Sequence, residues 1–429
     1  MKKTQLVITL SLGMLTFQSA IANETRGKVI YGEDNRIETY QASKKLKILA
    51  ASTAGMINTI KTIKVGSNTM LPPYTIATDM GLCKTERFAD QPSAVSCTGF
   101  LVGPDLLVTA GHCVQTQKDC DEVTWVFDYK VKSETAKTDI LVPSKDTYKC
   151  SKVIETKLFS SYTIKKDYAL IRLDRVVEGR KPLEFRTSGK VALKTEITVI
   201  GHPSGLPQKV GGGAKILANT HGNFFKTNLD TFGGNSGSPV FNTKTGIVEG
   251  ILVRGAKDYE KVGGCLKVHK TEEEITNFAK YGESVSRITE ITTLRNRDQL
   301  FKAIKDENLV EVKRISKLLK EVSIYDNNMD NALHIAAKSN NSEMIKTILD
   351  LGININSKNL LGQTPLHSAA LSGSTKSINM LINNNADTLI VDKMGKTPRE
   401  LAKFYKFSMI SNLKSAEVIQ IKKKKKSRN

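Results

Sequence analysis

The sequence predicts a multidomain chain in which an all-β part is followed by an all-α helical repeat array. Three observations carry this. The six cysteines, Cys83, Cys97, Cys113, Cys120, Cys150 and Cys265, all lie in the first two thirds of the 429 residues. That same stretch holds short apolar runs bounded by Gly, Pro and Asp, the pattern of strands and tight turns. Beyond it, a pattern recurs every 33 residues, the mark of stacked helical units. The length suits about two domains at roughly 150 residues each. With 39% hydrophobic and 25% charged residues, a wholly disordered chain is excluded. The net charge of +21 bears on solubility and encounter rather than on chemistry, and no nucleic-acid motif accompanies it.

The expected organisation is an export signal over 1–22, an N-terminal extension or pro-segment over 23–82, a β core over 83–285, a linker over 286–295, about four repeats over 296–418 and a basic tail over 419–429. Lys2 and Lys3 precede an apolar run from Leu6 to Phe17, and Ala20-Ile21-Ala22 supplies small residues before a cleavage point after Ala22. That run is too short for a membrane span, which needs roughly 20 residues. The expectation is a soluble protein, secreted or periplasmic. The extension holds a candidate helix around Ala42–Ile63. An oxidising route makes an even set of cysteines a disulfide framework, and the absence of C-x2-C spacing argues against a zinc site.

Three segments of the β part carry chemistry. Ser96-Cys97-Thr98-Gly99-Phe100-Leu101-Val102 and Leu107-Val108-Thr109-Ala110-Gly111-His112-Cys113 read as a hairpin around Gly103-Pro104-Asp105. Lys166-Asp167-Tyr168-Ala169-Leu170-Ile171-Arg172-Leu173 places an acid before an apolar strand. Phe232-Gly233-Gly234-Asn235-Ser236-Gly237-Ser238-Pro239-Val240 is a Gly-rich loop opening into a strand. A serine needs a base to become a nucleophile, a histidine titrates where it can serve as that base, and an acid can fix the histidine's tautomer.

The order His, Asp, Ser and these local contexts resemble the trypsin/chymotrypsin-like serine peptidases over about residues 29–270. The resemblance implies a double β-barrel and assigns His112 as general base, Asp167 as its orienting acid and Ser236 as nucleophile. It implies an oxyanion hole from the backbone N–H groups of Gly234 and Ser236, with no metal or cofactor required. Asp174 is a rival acid, but it falls at the far end of the same strand. Gly-Gly-Asn-Ser-Gly-Ser-Pro-Val-Phe (233–241) and Val29-Ile30-Tyr31-Gly32-Glu33-Asp34-Asn35-Arg36 look most like the bacterial V8-like glutamyl-endopeptidase branch. Asn235 stands where animal trypsin-like enzymes have an Asp that pairs with a freed N-terminal ammonium. An amide cannot form that pair. Cleavage between Lys28 and Val29 could still place a new amine near the specificity pocket.

Specificity stays open between two readings. Asp230, six residues before Ser236, has the spacing of the acid that receives Arg or Lys in trypsin-like enzymes, which makes a basic P1 residue the first expectation. Leu252 takes the place of the His that helps bind a substrate carboxylate in glutamyl-specific enzymes, while Arg254 could still meet an acidic P1 residue. His221 lines or packs the pocket. The resemblance implies a Cys97–Cys113 bond holding the hairpin that presents His112. Cys120–Cys150 would close a loop before the Asp strand, and Cys83–Cys265 is what is left.

In the C-terminal part, Asn331-Ala332-Leu333-His334-Ile335-Ala336-Ala337 returns as Thr364-Pro365-Leu366-His367-Ser368-Ala369-Ala370 and, more weakly, as Thr397-Pro398-Arg399-Glu400-Leu401-Ala402. Thr364-Pro365 suits a helix start, Thr as N-cap and Pro as first helical residue. The pattern resembles the ankyrin repeats and implies a protein-binding surface with an unnamed partner. His334 and His367 read as structural residues rather than metal ligands. Lys422–Lys426 is a candidate element for an anionic surface. The rival to a peptidase is a catalytically inactive protease fold that binds proteins.

Overall fold

The computed structural model describes residues 30–136, 140–161, 164–254, 258–271, 282–319, 324–404, 413 and 416–420. The export signal, the Lys28–Val29 bond and Lys422–Lys426 lie outside the described residues, as does the Arg254 side chain. Among the described residues no helix is long and apolar enough to cross a membrane.

The first part of the chain forms β1 (Ile30–Tyr31), β2 (Arg36–Glu38), α1 (Lys44–Ala50), β3 (Thr53–Asn58), β4 (Ile63–Val65), β5 (Asn68–Met70) and α2 (Ile76–Met80). It continues through β6 (Cys97–Leu101), β7 (Leu106–Thr109), α3 (Gln117–Asp121), β8 (Val123–Phe127), β9 (Leu141–Pro143), β10 (Thr147–Ser160) and β11 (Lys165–Leu173). The second set is β12 (Glu196–Gly201), β13 (Lys209–Ala218), β14 (Phe224–Thr227), β15 (Pro239–Asn242), β16 (Val248–Arg254), β17 (Tyr259–Val262), β18 (Cys265–Val268), β19 (Lys270–Thr271) and β20 (Glu283–Arg287).

Strands β10-β11-β7-β6-β3-β8 close into one barrel. A second barrel closes as β12-β15-β16-β20-β14-β13, with β12 also pairing β13 and β2 added outside β13. All the barrel pairings are antiparallel. Alternate residues fill each interior: Leu101, Leu107, Trp125, Phe127 and Ile171 in the first, Ile197, Ile216, Phe225, Val240 and Val285 in the second. The opposite faces meet between the barrels in a third cluster with Phe100, Val108, Leu170, Ile200, Phe241 and Ile251.

The structure differs from the sequence expectation in three places. Within the expected extension over 23–82, the described residues 30–82 include β3, an interior strand of the first barrel hydrogen-bonded to both β6 and β8. The candidate helix at Ala42–Ile63 is α-helical only over Lys44–Ala50; the chain then turns into β3, whose first five residues are all buried, and a 3₁₀ turn at Thr59–Lys61 follows. Burial on both faces favours a strand there over continued helix. The N-terminal segment is fastened further by a buried ion pair between Lys209 and Glu38 (3.0 Å), with Gln91 also accepting from Lys209. Burial pulls the Lys209 ammonium down to about 8.

The expected linker at 286–295 is also absent. It is the end of β20, a single 3₁₀ turn at Ile288–Glu290 and the start of helix α4 (Thr292–Lys305). Helix α4 leads the array of α5 (Leu309–Ser316), α6 (Ala332–Ala337), α7 (Ser342–Leu349), α8 (Pro365–Leu371), α9 (Thr375–Asn383) and α10 (Pro398–Phe404). Its Leu294 packs in the cluster between the barrels, whereas Leu300, Phe301, Ala303 and Ile304 pack with Leu333, Ala336 and Ile345 in the array. One helix thus belongs to two cores.

The repeat histidines are structural. His334 Nε2–H donates to Gln363 O at 2.9 Å and His367 Nε2–H donates to Lys396 O at 3.0 Å, each reaching the turn of the following unit. The Thr364 N–H and hydroxyl donate to His367 Nδ1, closing the helix N-terminus locally. Burial holds both imidazoles below their ordinary pKa, so they are neutral at pH 7.

Candidate active site

His112 follows the last residues of β7, and Asp167 lies on β11 opposite Leu158 of β10. Gly111 permits this turn, because a Cβ there would sit 3.0 Å from the Tyr168 N and run into the Lys157 carbonyl. Asp167 is 3% exposed and grips His112 twice. Its Oδ1 accepts the His112 backbone N–H at 3.0 Å and its Oδ2 accepts Nδ1–H at 2.8 Å. A carboxylate only accepts, so this contact fixes the proton on Nδ1 and leaves Nε2 with a lone pair. Asp174 instead pairs with Arg175 at the strand's far end.

The loop carrying Ser236 is pinned to the hairpin of the other barrel. Thr98 N–H donates to Ser236 O at 2.8 Å and Thr98 Oγ1 donates to Gly234 O at 2.8 Å. Gly237 N–H donates to Leu252 O at 2.7 Å. Gly234 and Gly237 have φ of 89° and 88°, a left-handed backbone that side chains rarely adopt, and a Cβ on Gly237 would strike the Thr98 carbonyl. Among the described residues, no hydrogen bond uses the backbone N–H of Gly234 or of Ser236, and none joins the Ser236 hydroxyl to the His112 ring. Apo sites often hold that last pair apart until substrate arrives.

Cysteines pair as Cys97–Cys113, Cys120–Cys150 and Cys83–Cys265. The first ties β6 to the residue after His112. Cys97, His112 and Cys113 bring three potential metal-ligand atoms within 4.8 Å of one another, but the two sulfurs are bonded to each other and offer no thiolate.

The residues expected at the specificity pocket have the following surroundings. Asp230 does not lie open at a pocket floor. It is buried, its Oδ1 accepts the Tyr31 N–H at 2.9 Å and its Oδ2 accepts the Asn35 N–H at 3.4 Å. Burial raises its carboxyl to about 6. Leu252 packs in the second barrel's interior with Val240 and Val285. His221 stacks on Phe224 with ring centroids 4.1 Å apart. Arg254 contributes backbone pairing opposite Ser284.

Sequence reasoning missed two supports of the nucleophile loop. Asp258 Oδ2 accepts the Gly233 N–H at 2.7 Å, and the Arg36 guanidinium lies 4.0 Å from the Phe232 ring centroid. No spacing signal marks either, since both partners arrive from distant segments.

Comparison with known proteins agrees with this architecture. Residues 97–251 match the family model described as a trypsin-like peptidase domain, and residues 289–392 match that of ankyrin repeats in three copies. An extracellular metalloprotease of Bacillus subtilis is 32% identical over 90 residues, 21% of this chain and 25% of its own length. The E3 ubiquitin-protein ligase KEG of Arabidopsis thaliana and the protein phosphatase 1 regulatory subunit 12A of Mus musculus are each 37% identical over 71 residues, 17% of this chain. The chain spans only 4% and 7% of those two relatives. The chain carries a trypsin-like peptidase domain of two closed β-barrels followed by C-terminal ankyrin repeats.

Proposed function

We propose that this chain is an exported serine endopeptidase whose ankyrin repeats bind protein. The observation that carries the catalytic part is the double grip of Asp167 on His112, which orients the ring and leaves Nε2 as a base. Ser236 Oγ attacks the scissile carbonyl while His112 Nε2 takes its proton. The tetrahedral oxyanion is received by the Gly234 and Ser236 N–H groups. His112 then protonates the leaving amine, and water repeats the sequence on the acyl-enzyme. Asp167 stabilises the imidazolium throughout. Three disulfides suit an extracellular or periplasmic setting. The Asp230 carboxylate already accepts two backbone N–H groups, and the P1 preference stays open between a basic and an acidic residue.

The test is covalent labelling by a phosphonofluoridate-type reagent. The wild-type chain should label and Ser236→Ala should not. An unlabelled wild type would favour the binding-only reading, and undiminished labelling of the variant would place the nucleophile elsewhere.

A further inference from the structure

The helix that joins peptidase and array is held at its N-terminus by one side chain from the first barrel. Glu155, on β10, accepts the Thr292 N–H at 3.1 Å, the Thr292 hydroxyl at 2.8 Å and the Thr293 N–H at 2.7 Å. These donors open α4, where unpaired N–H groups need an acceptor. Burial disfavours the charge on Glu155, but the hydrogen bonds from Thr293 and Thr292 outweigh it and hold the carboxyl below its ordinary range.

The same carboxylate also faces the catalytic strand. Tyr168 Oη donates to Glu155 Oε1 at 3.0 Å, and Tyr168 is the residue after Asp167. The Tyr168 ring is buried in the cluster that receives Leu294 of α4. Glu290 and Arg295 are the other charged groups that act on Tyr168. A second tie lies one turn further along α4. Buried Arg297 donates to Val102 O at 3.4 Å, at the hairpin leading to His112, and to Tyr325 O at 3.1 Å in the array. The β6–β7 hairpin that leads to His112 is thus bonded to α4 through Val102, and the strand bearing Asp167 is bonded through Tyr168 to the carboxylate that caps α4.

We infer that Glu155 is a positioning residue, joining α4 to Tyr168 so that the docked repeat array holds the Asp167 strand in place under His112. Glu155 does not touch substrate. It acts through Tyr168 on the backbone that carries Asp167. The kinetic consequence rests on the endopeptidase reading; the structural consequence does not.

The test uses the full chain with Glu155→Gln, Tyr168→Phe and Thr292→Val. Glu155→Gln replaces one accepting oxygen with an NH₂ that faces donors. Tyr168→Phe removes only the phenol bond, and Thr292→Val removes only the hydroxyl bond from the α4 side. Two readouts are taken well below each variant's unfolding temperature. One is turnover of p-nitrophenyl acetate. The other is the low-field proton resonance of the His112 Nδ1–H bound to Asp167. For Glu155→Gln we expect kcat to fall about tenfold with KM within about twofold, the pattern of a misplaced catalytic group. The low-field resonance should shift or broaden. Tyr168→Phe and Thr292→Val should move both readouts the same way by less. A lowered unfolding temperature with kcat and the resonance unchanged in all three variants would overturn the inference and leave Glu155 a helix cap only. If wild type neither turns over ester nor labels with a serine reagent, the peptidase reading fails, and the resonance alone then decides the positioning role.

Discussion

Asp167→Asn is the sharpest probe of the site, because the outcome depends on which oxygen does what. Oδ1 is committed to the His112 backbone N–H at 3.0 Å and Oδ2 to Nδ1–H at 2.8 Å. An asparagine has one accepting oxygen. If it stays on the backbone N–H, the amide NH₂ faces Nδ1, which must then accept. The ring proton moves to Nε2, and the base that should receive the serine proton is gone. If the amide flips, its NH₂ opposes the backbone N–H and the loop around His112 is pushed away. Either way the expected loss is about 10⁴-fold in kcat, the scale of removing the orienting acid from such a triad. At 1.36 kcal/mol per tenfold, that is about 5.5 kcal/mol of barrier. The assay is the second-order rate of labelling by a serine reagent at pH 7, with ester turnover alongside. The overall fold should survive, since the change is isosteric. A folded variant within about tenfold of wild type would refute the assignment of Asp167 as the tautomer-fixing acid.

Replacing Cys97 and Cys113 by Ser opens a loop of sequence separation 16, and loop entropy puts the loss near 3 kcal/mol, read by urea unfolding without reductant. Asp230→Asn should leave the P1 profile of a peptide library unchanged; a selective loss of cleavage after Arg and Lys would restore the pocket role. The same variant tests linkage. Burial raises the folded-state carboxyl to about 6, above its unfolded value, so the stability tied to its protonation is present in acid and lost as pH rises through about 6. The variant should gain on wild type across about pH 4 to 6 and hold that gain above, as read by urea titrations at several pH values. His367→Ala leaves the Lys396 carbonyl without its donor and should lower array stability by about 1–3 kcal/mol. Because His367 is held below its ordinary pKa, its own contribution is present above about pH 6.5 and fades on acidification, whereas the variant lacks that slope.

The parts legible in the sequence were those in which a short stretch carries its own geometry. Ala110-Gly111-His112-Cys113 needs a glycine for close approach to β10 and β11, and Gly233-Gly234-Asn235-Ser236-Gly237 needs left-handed turns; both requirements are written in residue type. The repeat histidines were legible for the same reason, since each bonds within its own turn and to the unit 33 residues on. What was illegible came from far along the chain. Asp230 has the spacing of a pocket acid, yet its partners Tyr31 and Asn35 lie 199 and 195 residues earlier. Strand β3 looked helical because Ala42–Ile63 mixes apolar residues without alternation, and burial on both faces erases the period-two signal. The supposed linker was a boundary drawn between two composition regimes, and composition does not reveal a helix that serves both.

That join has a consequence for survival among proteases. The segment from Glu283 to Ile288 is buried throughout, and the chain passes directly from strand to turn to helix. A peptidase must draw an extended strand of its substrate into the cleft, and backbone already committed to a barrel and a helix cannot be drawn in without local unfolding. Autolysis at this join would therefore wait on opening of the structure itself. At this join the helical array stays continuous with the second barrel for as long as both remain folded.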